Sequence, residues 1–526
     1  MGQRRRGEVI AVLAGAVAAV TLVGCGNRSA TSAPSPGRAT ASFMAATPAA
    51  GSPQVLTTYH YGNARQGVDS ADPSFRKLVR AWTASGAKIS GDIYAEPLIY
   101  GGRVYVVTEN DDVYALKAST GAVEWKVSIG TAVQATWVGA PGMGSSCGDI
   151  RPLGITGTPV IDAKSGVLYV AAEVQRAGTS TWRGIEHVMT AIRLSDHRTL
   201  WHRQIDPPNS GDGTNGTYII GAEQQRSALS LVRGRVYVEY GGLSGDCAAY
   251  HGYAVSTAES GTGALGIYKT PSPREDALWA MSGAAADESG NLYVATGNGA
   301  NGPGQKFDYG NAVIKLSGSL KVLSHYAPSS WAYLSQQDLD LGSDGPTLLP
   351  GERLLFQSGK AGFASGNGGT RESWGYLLNP ASLGGIGHPL FRGQVCPSPV
   401  DVFGSNATAV VSVGGTAKTL VFVPCPSGTV ALAVTTGSHP SFHRIWAASQ
   451  GNPNGPPILA GGLVWAISTG ADGGGGPSSV LYGMSPGTGK VLVTEQLAAV
   501  DHFVTPGAGD GIIVVGTTAG VEAFKP

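Results

Sequence analysis

Between Asp338 and Asp344 the chain reads Asp-Leu-Asp-Leu-Gly-Ser-Asp, three carboxylates separated by apolar or small residues. Several oxygens within a short loop suit a hard cation such as calcium, which makes Asp338, Asp340 and Asp344 candidate metal ligands. The same side chains also cap turns before strands, and the leucines between them fit a buried position. Asp212 and Glu223 have the end-to-end spacing of an EF-hand loop, but Thr217 stands where that loop requires glycine. His187, His197 and His202 lack the His-Glu-x-x-His spacing of a helical zinc site, and no Cys-x-x-Cys pair occurs. No Gly-x-Ser-x-Gly elbow leads into a helical pattern, and Gly473–Gly476 reads as a flexible hairpin tip rather than a phosphate cradle. Zinc, serine-hydrolase and nucleotide chemistry are therefore unsupported.

The elements that must position such groups follow from a repeat. From Ala95 to Gly130 the chain reads AEPLIYGGRVYVVTENDDVYALKASTGAVEWKVSIG, and looser copies recur down to Pro526. Aligned on the second strand of each copy, the centres are Tyr105, Tyr169, Tyr237, Tyr293, Phe356, Phe422, Trp465 and Val514. Short β-branched runs alternate with glycine turns and no helical period appears, which predicts an all-β chain. Four short strands per unit, repeated radially, is an eight-bladed β-propeller of antiparallel blades. The last unit holds only Val504–Gly507, Gly511–Thr517 and Val521–Phe524. Its missing outer strand is predicted to be Lys77–Ser85, so an N-terminal strand closes the ring and leaves no open edge.

Composition bounds the rest. Lys+Arg 36 balance Asp+Glu 36 and charged residues make up only 14%, so nothing recruits a nucleic acid. Residues 1–24 read as a lipoprotein signal peptide, with Arg4 to Arg6 followed by an apolar run from Val9 to Val23. The run ends Leu22-Val23-Gly24-Cys25, a lipobox that predicts lipidation of Cys25 and membrane attachment through it. Residues 25–54, rich in Ser, Ala, Thr and Pro, form a disordered tether, and 55–526 the propeller. The protein is expected outside the cytoplasm. Four cysteines remain and permit three disulfide pairings. Cys147–Cys247 and Cys396–Cys425 are favoured, each pair lying in consecutive repeats.

In a propeller, the loops that lead into the innermost strands gather around the axis. Glu96, Thr156, Arg226, Trp279, Asp344, Asn406 and Asn454 occupy those loops. Glu96, Arg226, Trp279, Asp344 and Asn406 are the candidate ligand-binding set; the plainer reading is that they cap turns or pair with one another.

The stretch Ala115-Leu116-Lys117-Ala118-Ser119-Thr120-Gly121-Ala122-Val123-Glu124-Trp125 resembles the tryptophan-docking repeat of the pyrroloquinoline-quinone (PQQ)-like propeller family, with Lys117 in place of that family's Asp. Trp201 and Trp446 fit the same slot. Gly154 to Asp162 and Asn291 to Gly299 are similar to phrases of an exported bacterial group in the family. The resemblance implies a packing role for the tryptophans, whose indoles bridge adjacent blades. It implies one of two functions: quinone-dependent alcohol oxidation, or a non-catalytic lipoprotein propeller serving barrel assembly. Family dehydrogenases hold PQQ with calcium beside a Cys-Cys disulfide that this chain lacks, and Tyr94 stands where an acidic residue is frequent. The sequence therefore points to a non-catalytic binding or scaffold module with envelope-protein partners and no cofactor. The alternatives are a PQQ- and calcium-dependent dehydrogenase with a divergent site, and a small-ligand or glycan sensor.

Overall fold

The computed structural model describes residues 55–526 apart from 73, 135–139, 141, 145–146, 208–209, 212–217, 352, 366–367, 399–400, 449–454 and 469–478. The leader, Cys25, the tether, Asp212, Thr217, Asn454 and the Gly473–Gly476 tip lie outside the described residues. The described chain forms eight blades, each a four-stranded antiparallel meander. The innermost strands of blades one to eight are Leu98–Tyr100, Val160–Asp162, Ser230–Val232, Ala285–Ala286, Thr347–Leu348, Ala407–Val413, Ile458–Ala460 and Gly507–Gly509. All eight repeat centres read from the sequence fall on the second strands, and all are buried. Blade four carries an extra parallel edge: Gly385–Ile386, from a loop of blade five, pairs with Tyr326 and Ala327.

The ring closes as predicted. Val79–Ser85 pairs antiparallel with Gly520–Lys525 as the outermost strand of blade eight, so two chain ends complete one sheet. Trp82 on that strand then fastens blade eight to blade one. Its indole Nε1 donates to the Ala118 carbonyl at 2.7 Å, and a Cβ on Gly121 would lie 2.4 Å from the ring. Gly121 has φ of +68°, so only a residue without a side chain fits both the turn and the indole. Trp201 docks likewise on Gly261 and Trp446 on Gly489, with Nε1 donating to the carbonyls of Glu259 and Pro486. Trp125 differs. The turn it meets in blade two carries His197 at φ of +59°, and the indole stacks on that imidazole at 5.0 Å with no hydrogen-bond acceptor among the described residues.

Both favoured disulfides are formed, each with Cα atoms 5.8 Å apart. Cys396–Cys425 joins neighbouring blades five and six. Cys147 lies in the crossing from blade one to blade two, and its bond ties that crossing to a loop of blade three instead of joining consecutive units.

The segment Leu56–Asp69 has no counterpart in the repeat reading, and it touches the innermost strand, or the residue leading into it, in every blade. Leu56 exchanges backbone hydrogen bonds with Ile99 of blade one, and the Thr57 carbonyl accepts from Ile161 of blade two. The Asn63 side chain donates to Leu231 of blade three, and its carbonyl accepts from Ala286 of blade four. The carbonyls of Ala64, Gln66 and Gly67 accept from Leu348, Thr408 and Leu459 of blades five, six and seven. The Tyr61 hydroxyl donates to the Ala508 carbonyl of blade eight at 3.0 Å. A strap thus crosses the axis and seals one end of the channel.

Arg65 is the centre of the strap and is fully buried. Its Nε donates to the Ala284 carbonyl, Nη1 to Thr58 Oγ1 and the Tyr59 carbonyl, and Nη2 to the Leu229 carbonyl and Ser230 Oγ. All five guanidinium N–H groups therefore have acceptors, the condition for burying a charge at tolerable cost.

Candidate functional site

At the other end of the axis a cavity of about 520 Å³ opens between blades three to eight. Two kinds of loop line it. Crossings from one blade to the next supply Asp149, Arg226, Trp279, Asp338, Asp340, Phe403, His502 and Phe503; the loops after second strands supply Ser244 to Asp246, Lys360 and Pro426.

Its floor is a run of rings. Trp279 lies 6.3 Å from Phe403, Phe403 stacks on Phe503 at 5.5 Å, and His502 stands edge-on to Phe503 at 4.7 Å. Below Phe503 and Arg226 only a crevice of about 10 Å³ continues. Cations border the rings on two sides. Lys360 Nζ sits 6.0 Å from the centres of both Trp279 and Phe403, and Arg226 lies 5.7 Å over Phe503. Lys360 bridges Asp338 Oδ1 and Asp340 Oδ2, both at 2.8 Å. Burial works against its charge, but Asp340 and then Asp338 hold the ammonium protonated well above its ordinary range. Burial likewise pushes the Asp340 carboxyl up, opposed by Lys360. Arg226 approaches Asp149 at 3.6 Å and His502 Nε2 at 3.4 Å.

The sequence candidates divide sharply. Arg226, Trp279, Asp338 and Asp340 line the cavity. Glu96, Asp344 and Asn406 do not; each is at most 1% exposed and lies deeper along the axis. Glu96 Oε2 accepts the His60 backbone N–H at 2.8 Å and so anchors the strap. Asp344 accepts Asn406 Nδ2 at 2.6 Å and also the Ser358 hydroxyl. The physical reason is distance from the strand. Glu96, Asp344 and Asn406 stand within three residues of the innermost strands at Leu98, Thr347 and Ala407, where the chain is already between blades. Arg226 and Trp279 stand four and six residues before Ser230 and Ala285, on the part of the crossing that lines the cavity.

The three aspartates do not converge. The Lys360 ammonium occupies the position between Asp338 and Asp340 that a cation would need, and Asp344 is engaged elsewhere. Among the described residues no group of three or more His, Cys, Asp or Glu side chains could hold a metal ion. Lys360 escapes a reading confined to the crossings because it sits in a loop after a second strand, whereas Phe403, His502 and Phe503 lie on crossings but show no motif. Burial shifts the acids beneath the cavity: Glu96 and Glu109 are both pushed up to about 8, each restrained by a backbone N–H.

No known family's sequence profile and no curated sequence matches the chain. Solved structures do match. A quinohemoprotein alcohol dehydrogenase from Pseudomonas putida superposes with a TM-score of 0.58 at 14% identity, over 90% of this chain and 80% of that one. A europium-containing methanol dehydrogenase gives 0.59 at 14%, covering 90% and 98%. BamB from Moraxella catarrhalis gives 0.51 at 11%, covering 85% and 99%. The chain has the propeller fold of the quinoprotein alcohol dehydrogenases, at identities where the fold is what is shared. A particular activity does not follow from that likeness.

Proposed function

We propose that this chain is a lipid-anchored, extracytoplasmic binding propeller of the cell envelope whose axial cavity takes a planar, anionic small molecule. The observation that carries the reading is the ring floor of Trp279, Phe403 and Phe503 bordered by Lys360 and Arg226. Flat apolar faces bury a flat ligand, and two cations at its edge select carboxylates or similar anions. Export is supported by the leader in the sequence and by two disulfides, which persist in oxidising compartments. Attachment through Cys25 and an envelope-protein partner belong to the same proposal.

A second reading is quinone-dependent oxidation at the same cavity, as in the dehydrogenases whose fold it shares. One observation favours it: Asp340, Lys360 and the Trp279 indole meet around Gly297, where a Cβ would lie 2.7 Å from Asp340 Oδ1 and 3.2 Å from Trp279 Nε1. PQQ is a planar tricarboxylate, so the rings and cations fit it, and once bound it would supply a two-electron acceptor. Trp279 would stack on it, Lys360 and Arg226 would hold its carboxylates, and Asp340 would take the proton of a substrate hydroxyl. Calcium on the Asp338, Asp340 and Asp344 set does not fit, because Lys360 already fills that charge.

The test is to incubate the purified chain with PQQ, remove free quinone by gel filtration, and read bound absorbance and dye-linked alcohol oxidation. Stoichiometric quinone without turnover supports the binding reading, and turnover supports the second. No bound quinone, together with no thermal shift from any planar aromatic carboxylate, removes both.

A further inference from the structure

The seam between blades three and four holds a pair of carboxylates that neither the cavity nor the strap uses. Asp276 lies in the crossing from Gly266–Lys269 to Ala285–Ala286, and Asp308 lies between the second and third strands of blade four. Both are buried, at 0% and 5% exposure. Their Oδ1 atoms face the same glycine: a Cβ on Gly299 would lie 2.7 Å from that of Asp276 and 2.6 Å from that of Asp308. Gly310 is equally constrained, a Cβ there falling 3.1 Å from Asp276 Oδ1.

The two carboxylates are treated differently. Asp308 accepts from Ser272 Oγ at 3.0 Å, from the Asn301 N–H at 2.8 Å and from the Gly310 N–H at 3.2 Å, so both of its oxygens have donors. Neither oxygen of Asp276 has a well-formed hydrogen bond among the described residues; the Ser272 backbone amide, the donor that acts on it, offsets only part of the burial that pushes the carboxyl up. The charged groups that act on Asp276 are acids, Asp308 and Glu275, and the neighbouring Arg274 is engaged by Glu275 at 2.7 Å. A buried carboxylate without a donor, facing a second buried carboxylate, is unfavourable unless something positive sits between them.

We propose that Asp276 and Asp308 bind a calcium ion in this seam. The donors are all oxygen, with the Ser272 hydroxyl beside them and water to complete the shell, and an irregular set of this kind suits calcium better than octahedral magnesium. The ion would also stiffen the cavity wall. The Asp276 N–H donates to the Asn298 carbonyl, and Asn298 in turn donates its N–H to Asp340 and its side-chain amide to Asp338. Trp279 follows Asp276 by three residues.

Calcium alone is the probe. Full-length protein stripped with EDTA should retain one calcium per chain after equilibration and gel filtration. Its melting temperature should rise by roughly 3–8 °C in millimolar calcium, with a smaller response to magnesium. Asp276→Asn should lose both responses and, without calcium, melt above stripped wild type, because the repulsion is gone. Asp308→Asn gives the same reading if Asp276→Asn folds poorly, and Asp338→Asn should leave the calcium response intact. No retained calcium in the wild type, or an unchanged response in Asp276→Asn, overturns the proposal. So does a melting temperature that rises as pH falls from 8 to 5 regardless of calcium and loses that rise in Asp276→Asn, since a shared proton then does the neutralising.

Discussion

The two ends of the propeller axis are built from the same crossings and do opposite things. At the strap end, polar groups are consumed internally: Arg65 spends five donors on five acceptors, and Glu96 holds the His60 amide. At the cavity end, Lys360, Arg226, Asp338 and Asp149 keep part of their hydrogen-bonding capacity beside half-buried rings. Satisfied groups stabilise a fold, whereas groups with spare capacity recognise something else. The difference teaches that polarity near the axis is no guide to a site; only the accounting of partners is.

Replacing Arg65 by Met should break the strap end outright. It removes five donated hydrogen bonds from buried acceptors and the charge facing Glu96 and Glu239, for a loss of about 3–5 kcal/mol by denaturant unfolding. Lysine should not restore it, since three donors cannot reach five acceptors. A loss below about 1 kcal/mol would show that the strap is not what closes the channel. At the cavity end the pattern reverses. Lys360→Gln should weaken binding of a planar carboxylate about tenfold or more, roughly 1.5–3 kcal/mol by titration calorimetry, while the melting temperature moves by no more than about 2 °C. Equal damage to stability would mean that Lys360 serves the fold rather than a ligand.

The smallest effect concerns pH. The folded Glu96 carboxyl, pushed up to about 8 by burial and only partly restrained by the His60 amide and Arg65, keeps a proton that the unfolded chain loses near 4.5. Its folded form is therefore favoured at low pH, and that contribution fades as pH rises from about 5 to 8. Glu239, pushed to about 7 by burial, acts in the same direction. Glu96→Gln keeps the acceptor for His60 and should flatten the fall in melting temperature over that window. An unaltered slope would place the titration elsewhere.

Much of the molecule could be read in advance, for a definite reason. Repeating strand centres such as Tyr105 and Trp465 bury the same way in every blade, so local alternation carries the fold. The Thr-Gly turns and blade-end tryptophans likewise carry their partners with them, as Trp82 on Gly121 shows. Only Trp125 departs, because His197 replaces the glycine it would meet. The candidate site was half legible: loop position identified Arg226 and Trp279, but it could not separate them from Glu96, Asp344 and Asn406.

By itself, then, the sequence determined the all-β blades, their number and the closing strand, because each follows from local pattern or from a repeat seen many times. Tertiary structure alone decided that Leu56–Asp69 crosses the axis, that Lys360 stands between Asp338 and Asp340, and that Asp276 faces Asp308. Those arrangements join residues from different blades that share no spacing, and a few residues' difference in distance from a strand sends one side chain to solvent and another between blades.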